Sequence, residues 1–293
     1  MESRTAGRVM GTNSLIVVHD DDQPLVAAAS ARLQVLEQQW SRFLPDSEIS
    51  VLNRANGAPV IVSPETFTVV AAAVDGCEQT AGLFDPTVYD AMITNGYDVS
   101  FEAIADRSER VGPATTPDRP TPGVADITLD PALHAVTLPP GVHLDLGGIG
   151  KGAAADIVAA MLIDLGARGA AVSVGGDIRV IGESPTRGGW HFSGPAFKTI
   201  LPTIDDGGVC TSTTTQRRWQ HGRTEAHHLI DPRTGHPTKN RLESVTILAA
   251  TAQQAEVLTK AAMVAGDDAP ALIESFGVRV VFSWAADPEL VSA

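Results

Sequence analysis

The sequence predicts an α+β protein, and three observations carry that expectation. Short apolar, β-branched runs such as residues 14–18 and 244–249 read as strands. Segments with helical spacing of apolar residues, such as 25–40, lie between them. The two kinds mix without a regular strand–helix–strand rhythm, which disfavours a doubly wound parallel sheet.

The elements follow in order. Residues 14–18 form the first expected strand. Residues 25–40 form a helix, with Leu25, Leu33, Val35, Leu36 and Trp40 near one face and Pro24 in its first turn. Residues 43–53 read as a turn and a short helix, capped by Asp46 or Ser47. Ser63 caps a second long helix that opens with Pro64 and runs to about Thr80. Residues 107–123 hold four prolines and read as an exposed loop inserted within one domain spanning 9–285. Strands are expected at 127–129, 135–138 and 143–146, and a helix at 151–165. Strands at 170–174 and 178–181 flank a Gly175-Gly176-Asp177 turn. A strand at 244–249, a helix at 252–264 and a strand at 278–282 close the chain, and no internal repeat is visible.

Composition narrows the function. The 293 residues carry 21 Lys plus Arg against 35 Asp plus Glu, a formal net charge of −14. A nucleic-acid-binding protein needs a basic face, and no basic run here exceeds Arg217-Arg218. Cys77 and Cys210 are the two cysteines, and no CxxC or Cys/His cluster accompanies them, so free thiols are expected rather than a zinc site. No apolar segment follows the N-terminal residues, and no run of 18 apolar residues occurs, so no membrane segment and a cytoplasmic location are expected.

Four segments can carry chemistry. In Asp145-Leu-Gly-Gly-Ile-Gly-Lys151-Gly, a carboxylate and a glycine-rich turn precede a helix. Such a turn either brings backbone N–H groups and a lysine to an anion, or is only a tight connection with a solvated lysine. It is neither a Walker motif nor a GxGxxG fingerprint. Gly175-Gly176-Asp177 reads as a hairpin turn. His227-His228-Leu-Ile230-Asp231-Pro-Arg-Thr-Gly235 places one histidine toward a cleft if the segment is a strand, while Asp231 can bond local backbone. Glu256 and Lys260 are four apart on a helix and can pair, most simply as a solvated surface pair.

Taken together and in order, these segments resemble the ApbE family of FAD:protein FMN transferases. The resemblance rests on Met10-Gly-Thr12, the Pro-Asp-Ser-Glu-x-Ser-x-x-Asn pattern at 45–53, and Phe84-Asp85-Pro86-Thr-Val88. It continues through 145–152, Gly175-Gly176-Asp177 and His228-x-Ile230-Asp-Pro-Arg-Thr-Gly235. The resemblance implies an ApbE-like, T-fold-like α+β architecture, with mixed or antiparallel sheets flanked by helices and two intimately packed subdomains. It implies binding of FAD, transfer of FMN to a Thr or Ser hydroxyl of an acceptor flavoprotein, release of AMP, and use of magnesium.

The resemblance also assigns residues. Met10 and Phe43 match positions lining the flavin site, and Phe84, Asp85 and Pro86 match a loop touching FAD. Asp145, Lys151 and Asp177 match the charged segments around the cofactor. His228 matches the residue proposed to move the proton, with Lys151 stabilising the pyrophosphate, and Ile230 matches a backbone contact. Gly148, Glu256 and Thr259 are the candidate cation contacts. Here the sequence departs from the family pattern, which has an aspartate followed four residues later by a threonine. Glu256 and Lys260 take those places, with Thr259 one residue early. A lysine cannot ligate a metal while protonated. Either its ammonium replaces the cation, or transfer is lost and the chain only binds FAD; hydrolysis of FAD to FMN and AMP is the further alternative.

Overall fold

The computed structural model describes residues 2–19, 24–105, 118–191, 203–222 and 224–285. Strands β1 (Glu2–Val9) and β2 (Thr12–His19) form a hairpin. Its two turn residues, Met10 and Gly11, have φ of 52° and 63°, the left-handed pair of a type I′ two-residue hairpin. The sequence reading missed β1, because Glu2–Val9 is polar and mostly exposed, as an edge strand tends to be.

Helix α1 (Pro24–Trp40) buries Ala29, Leu33, Leu36 and Trp40. Helix α2 (Glu48–Arg54) starts at Ser47, whose side chain accepts from the Ser50 N–H. The two-residue strand β3 (Val60–Ile61) leads to α3 (Pro64–Gln79), capped by Ser63 with Pro64 in its first turn, as expected. Glu48 ties these helices together by accepting from both the N–H and the hydroxyl of Ser63, at 2.8 and 2.7 Å. Short helices α4 (Tyr89–Thr94) and α5 (Phe101–Ala105) follow. Most of the predicted proline-rich loop, residues 107–117 of 107–123, lies outside the described residues. Its described end is irregular, and the N–H groups of Arg119 and Thr121 donate to the Thr234 and Pro232 carbonyls.

Strands β4 (Thr128–Asp130) and β5 (Ala135–Thr137) join β3 in a small sheet, order β3-β5-β4. The strand expected at 143–146 does not form. Extended backbone there is bonded to groups other than a neighbouring strand: both main-chain polar groups of Leu144 pair with the Asn53 amide, and the Asp145 N–H donates to the Pro86 carbonyl. An apolar run reports burial, and side chains supply the partners that a sheet would have supplied.

Helix α6 (Gly150–Asp164) is followed by β6 (Gly169–Val174) and β7 (Asp177–Gly182). Strands β8 (Gly207–Thr213), β9 (Arg218–His221), β10 (Thr224–His227), β11 (Ile230–Asp231), β12 (His236–Pro237) and β13 (Leu242–Ala249) lead to α7 (Ala252–Ala265), α8 (Ala269–Glu274) and β14 (Arg279–Trp284). The main sheet has seven strands in the order β1-β2-β6-β7-β8-β13-β14, and each neighbouring pair is antiparallel. Helices α6 and α7 pack on it and on each other. Small side chains on α6 (Ala153, Ala154, Ala155, Ala159) are buried in that packing, so the helix lies close to its neighbours. A second, smaller core gathers Met92, Tyr97, Ile104, Trp219, Ala226 and Ile230. No helix among the described residues is long and apolar enough to cross a membrane. Cys77 and Cys210 are both free and buried.

Candidate functional site

The start of α6 forms the floor of the site. The chain leaves Asp145 in extended conformation, makes one 3-10 turn at Leu146–Gly148, and enters the helix at Gly150. One Asp145 oxygen accepts from the Gly147 N–H at 2.7 Å, and the other lies 3.0 Å from Arg42 Nε. Two glycines sit at close approach, and the backbone contact at the second admits no side chain. A Cβ on Gly148 would stand 3.0 Å from Phe84 Cε2, and a Cβ on Gly152 would stand 2.5 Å from the Ala252 carbonyl oxygen. The second contact lets the N-terminus of α6 rest against that of α7.

Above this floor opens a cavity of about 610 Å³, within the ordinary range of small-molecule clefts. Met10, Phe43 and Phe84 supply apolar wall, and Ile230 supplies more from the second core. Asp85, Asp145, Gly148, Lys151 and His228 also line it. With Lys260, ten of the candidate site residues singled out in the sequence therefore meet at one cleft.

The remaining four stand behind it. Pro86 braces the wall through its carbonyl, which accepts from Asp145. Asp85 is itself held: one carboxylate oxygen accepts from the N–H and hydroxyl of Thr87 at 2.8 and 2.7 Å, and the other from the Thr121 hydroxyl. Asp177 opens β7 directly after Gly175 and Gly176, whose φ values of 66° and 91° make the expected hairpin turn. Glu256 and Thr259 face inward from α7 and are fully buried.

Lys151 joins the two buried acids. Its ammonium lies 3.0 Å from Asp177 Oδ2, bonds Glu256 Oε1, and donates to the Gly147 carbonyl at 3.3 Å. An ammonium has three donors, so each has an acceptor within the protein. Burial alone would lower its pKa, but Asp177 and Glu256 outweigh burial and raise it, so Lys151 stays charged. The solvated-lysine reading of the glycine-rich segment is therefore incorrect.

Lys260 is also not a solvated surface residue. It lines the cavity, with its Nζ 2.8 Å from Ser212 Oγ and 3.8 Å from Glu256 Oε1. Burial and the neighbouring Lys151 lower its pKa, while Glu256 and Asp177 hold it up.

The paired histidines separate cleanly. β10 ends at His227, and the chain bends at His228. His227 is buried, with Nε2 donating to the Thr238 carbonyl at 3.1 Å and Nδ1 accepting from the Leu229 N–H at 3.3 Å. His228 lines the cavity, and its buried Nδ1 has no hydrogen-bond partner among the described residues. Burial, then Lys260 and Arg217, push its pKa well below the usual histidine value. The ring is neutral at pH 7 and can accept a proton.

Arg42, Tyr97 and Arg217 are among the cavity residues that escaped the sequence reading. The Arg42 guanidinium lies 4.2 Å from the Phe43 ring centre and 4.8 Å from that of Tyr97, while bonding Asp145 and the Tyr97 carbonyl. It anchors the turn that aims Phe43. Arg217 lines the cavity with a φ of 51°, and its guanidinium makes no ion pair with a described residue. The Arg217-Arg218 pair was the available signal, but only the fold turns one arginine inward. Arg218 pairs with Glu225 instead.

The predicted divalent-cation contacts do not fit such an ion. Magnesium wants near-octahedral oxygen ligands, and no group of three or more His, Cys, Asp or Glu among the described residues is placed to hold a metal. Glu256 Oε1 already faces Lys151, and its Oε2 accepts from the Gly152 N–H at 2.8 Å. The Thr259 hydroxyl donates to the Glu256 carbonyl and accepts from Ser212, both at 2.8 Å. Asp177 Oδ1 alone in this cluster lacks a partner among the described residues. Two ammonium groups also cancel the two carboxylates. A dication about 4 Å from a unit charge gains or loses about 8 kcal/mol at an effective dielectric of 20, so attraction and repulsion balance, and its dehydration is not compensated.

The fold is thus an antiparallel α+β protein whose glycine-lined, lysine-bearing cleft also holds a histidine with a depressed pKa. The chain belongs to the ApbE family, whose model matches residues 10–282. Among relatives, an FAD:protein FMN transferase of Haemophilus influenzae is 28% identical, covering 90% of this chain and 80% of that protein. One of Vibrio cholerae is 27% identical, covering 85% and 75%. Among solved structures, the flavin transferase ApbE of Vibrio cholerae superposes with a TM-score of 0.76 at 26% identity, covering 98% and 94% of the two chains. The apo flavinyl transferase ApbE of Pseudomonas stutzeri matches in fold, with a TM-score of 0.82 at 23% identity over 98% and 92%.

Proposed function

We propose that this chain binds FAD in the cleft and transfers its FMN moiety to a threonine or serine hydroxyl of an acceptor flavoprotein, releasing AMP. The observation that carries this reading is one cavity holding His228, whose ring Nδ1 has no partner among the described residues, together with Lys260 and the glycine-rich start of α6. Phosphoryl transfer needs positioning and charge stabilisation more than covalent help. Met10, Phe43, Phe84 and Ile230 suit the flat flavin ring. The Lys260 ammonium suits the pyrophosphate, with Lys151 held behind it by Asp177 and Glu256, and Asp145, Gly148, Asp85 and Pro86 hold the turns that shape the cleft.

The acceptor oxygen bonds to the FMN phosphorus, and the bond from that phosphorus to the bridging oxygen breaks. AMP leaves with that oxygen, and the hydroxyl proton goes to His228. No divalent cation enters this reading. We place the reaction in the cytoplasm, where two free buried thiols suit a reducing compartment.

The test mixes the protein with FAD and a purified acceptor flavoprotein domain. Covalent flavin on the acceptor, with AMP in equal amount, is expected. FMN and AMP without an acceptor would mean hydrolysis, and intact FAD eluting with the protein after long incubation would mean a binder; either overturns the transferase reading.

A further inference from the structure

We propose that the Lys260 ammonium, in place of a divalent metal ion, is the positive charge that contacts the FAD pyrophosphate. The proposal rests on the FAD reading above and deepens it.

Donor arithmetic separates the two lysines. Lys151 has Asp177, Glu256 and the Gly147 carbonyl for its three N–H bonds, so it has no donor left for a ligand. Lys260 donates to Ser212 Oγ at 2.8 Å, and its nearest acid oxygen is 3.8 Å away. Donors therefore remain on a side chain that lines the cavity. Ser212 is oriented to receive that bond, because its own hydroxyl proton goes to Thr259 at 2.8 Å and Thr259 donates onward to the Glu256 carbonyl. The relay fixes Lys260 beside Gly148, where a Cβ would lie 3.6 Å from Lys260 Cγ.

Charge balance says the same. Asp177 and Glu256 against Lys151 and Lys260 sum to zero with the cavity empty of ligand. A pyrophosphate dianion then meets an ammonium already neutralised from behind and held in place. With threonine at 260 the cluster would carry one net negative charge, which is where a cation would be recruited.

The experiment measures FAD affinity by flavin fluorescence in EDTA and in magnesium chloride, for the native chain and for Lys260→Thr, Lys260→Gln and Lys260→Arg. Native affinity is expected to be the same in both buffers. Lys260→Thr and Lys260→Gln are expected to bind about ten- to a hundredfold more weakly in EDTA, and Lys260→Thr to recover in magnesium. Lys260→Arg is expected to keep chelator-insensitive binding, which ties the loss to charge rather than to folding. Native binding that collapses in EDTA, or Lys260→Gln binding as tightly as native, would overturn the proposal. Chelator-insensitive FAD binding without any flavinylation of an acceptor leaves Lys260 in this role and removes the transferase reading. Transfer that requires magnesium does the reverse.

Discussion

The backbone N–H of Gly152 donates to Glu256 Oε2 over 2.8 Å, so the first turn of α6 is bonded to a buried carboxylate carried by α7. The same carboxylate holds Lys151. Glu256→Gln keeps an acceptor for Gly152 but leaves two buried ammonium groups with one acid. Removing one member of a buried ion pair costs about 3–5 kcal/mol. Urea denaturation should show a loss of that size, and an unchanged midpoint would mean the cluster does not depend on this charge.

Gly152→Ala should destabilise through backbone contact. Its Cβ would stand 2.5 Å from the Ala252 carbonyl oxygen, and neither helix start can yield without parting from the other. Overpacking of this kind costs about 1–3 kcal/mol. Gly148→Ala meets a Phe84 ring carbon at 3.0 Å and a flexible lysine stem at 3.6 Å. It should fold nearly as well and bind FAD less tightly. Thermal melts beside FAD titrations would distinguish the two.

His228→Asn should lower FMN transfer by about 10²–10⁴-fold, the usual contribution of a general base, with FAD affinity changed little. Burial, Lys260 and Arg217 depress the His228 pKa. The proton-accepting neutral form therefore persists below the usual value of about 6.5. The acidic limb of the rate profile should fall below that pH, not at it. Folding stability should be full above about pH 6.5 and decline as pH falls toward the depressed value, because the unfolded chain binds the proton more readily. An acidic limb centred above pH 7 would assign the base to another group.

Asn53→Ala should cost at least about 2 kcal/mol, because it strands the N–H and C=O of fully buried Leu144. Those bonds hold the segment that leads into Asp145, so FAD affinity should fall with stability. A variant of normal stability would mean that water replaces the amide.

Arg217→Met should weaken FAD binding in low salt and reduce its salt dependence, because the guanidinium faces the cavity without a described ion-pair partner. Affinity indifferent to both changes would place Arg217 outside the phosphate's reach.

Much of this molecule was legible in its residues. Apolar spacing marked α1, α3, α6 and α7, and Ser63-Pro64 marked a helix start, because capping and periodicity are local properties. Gly175-Gly176 marked a hairpin because glycine readily takes the positive φ that a tight two-residue turn uses, here at both positions. Six motifs in one order marked the family and hold eight of the candidate cleft residues. Polar edges and short pairings such as β1, β9 and β10 left little apolar pattern to read.

What tertiary structure alone decided is which polar groups meet. The sequence placed two adjacent histidines without saying that Thr238 and Leu229 occupy His227 and leave His228 facing the cleft. It placed Lys151 and Glu256 105 residues apart, and Glu256 and Lys260 as an ordinary helical pair. Folding buried both acids between both lysines and exhausted the donors of one ammonium while leaving those of the other. Hydrogen-bond saturation and charge balance are sums over neighbours from β7, β8, α6 and α7, and no single stretch of sequence contains them.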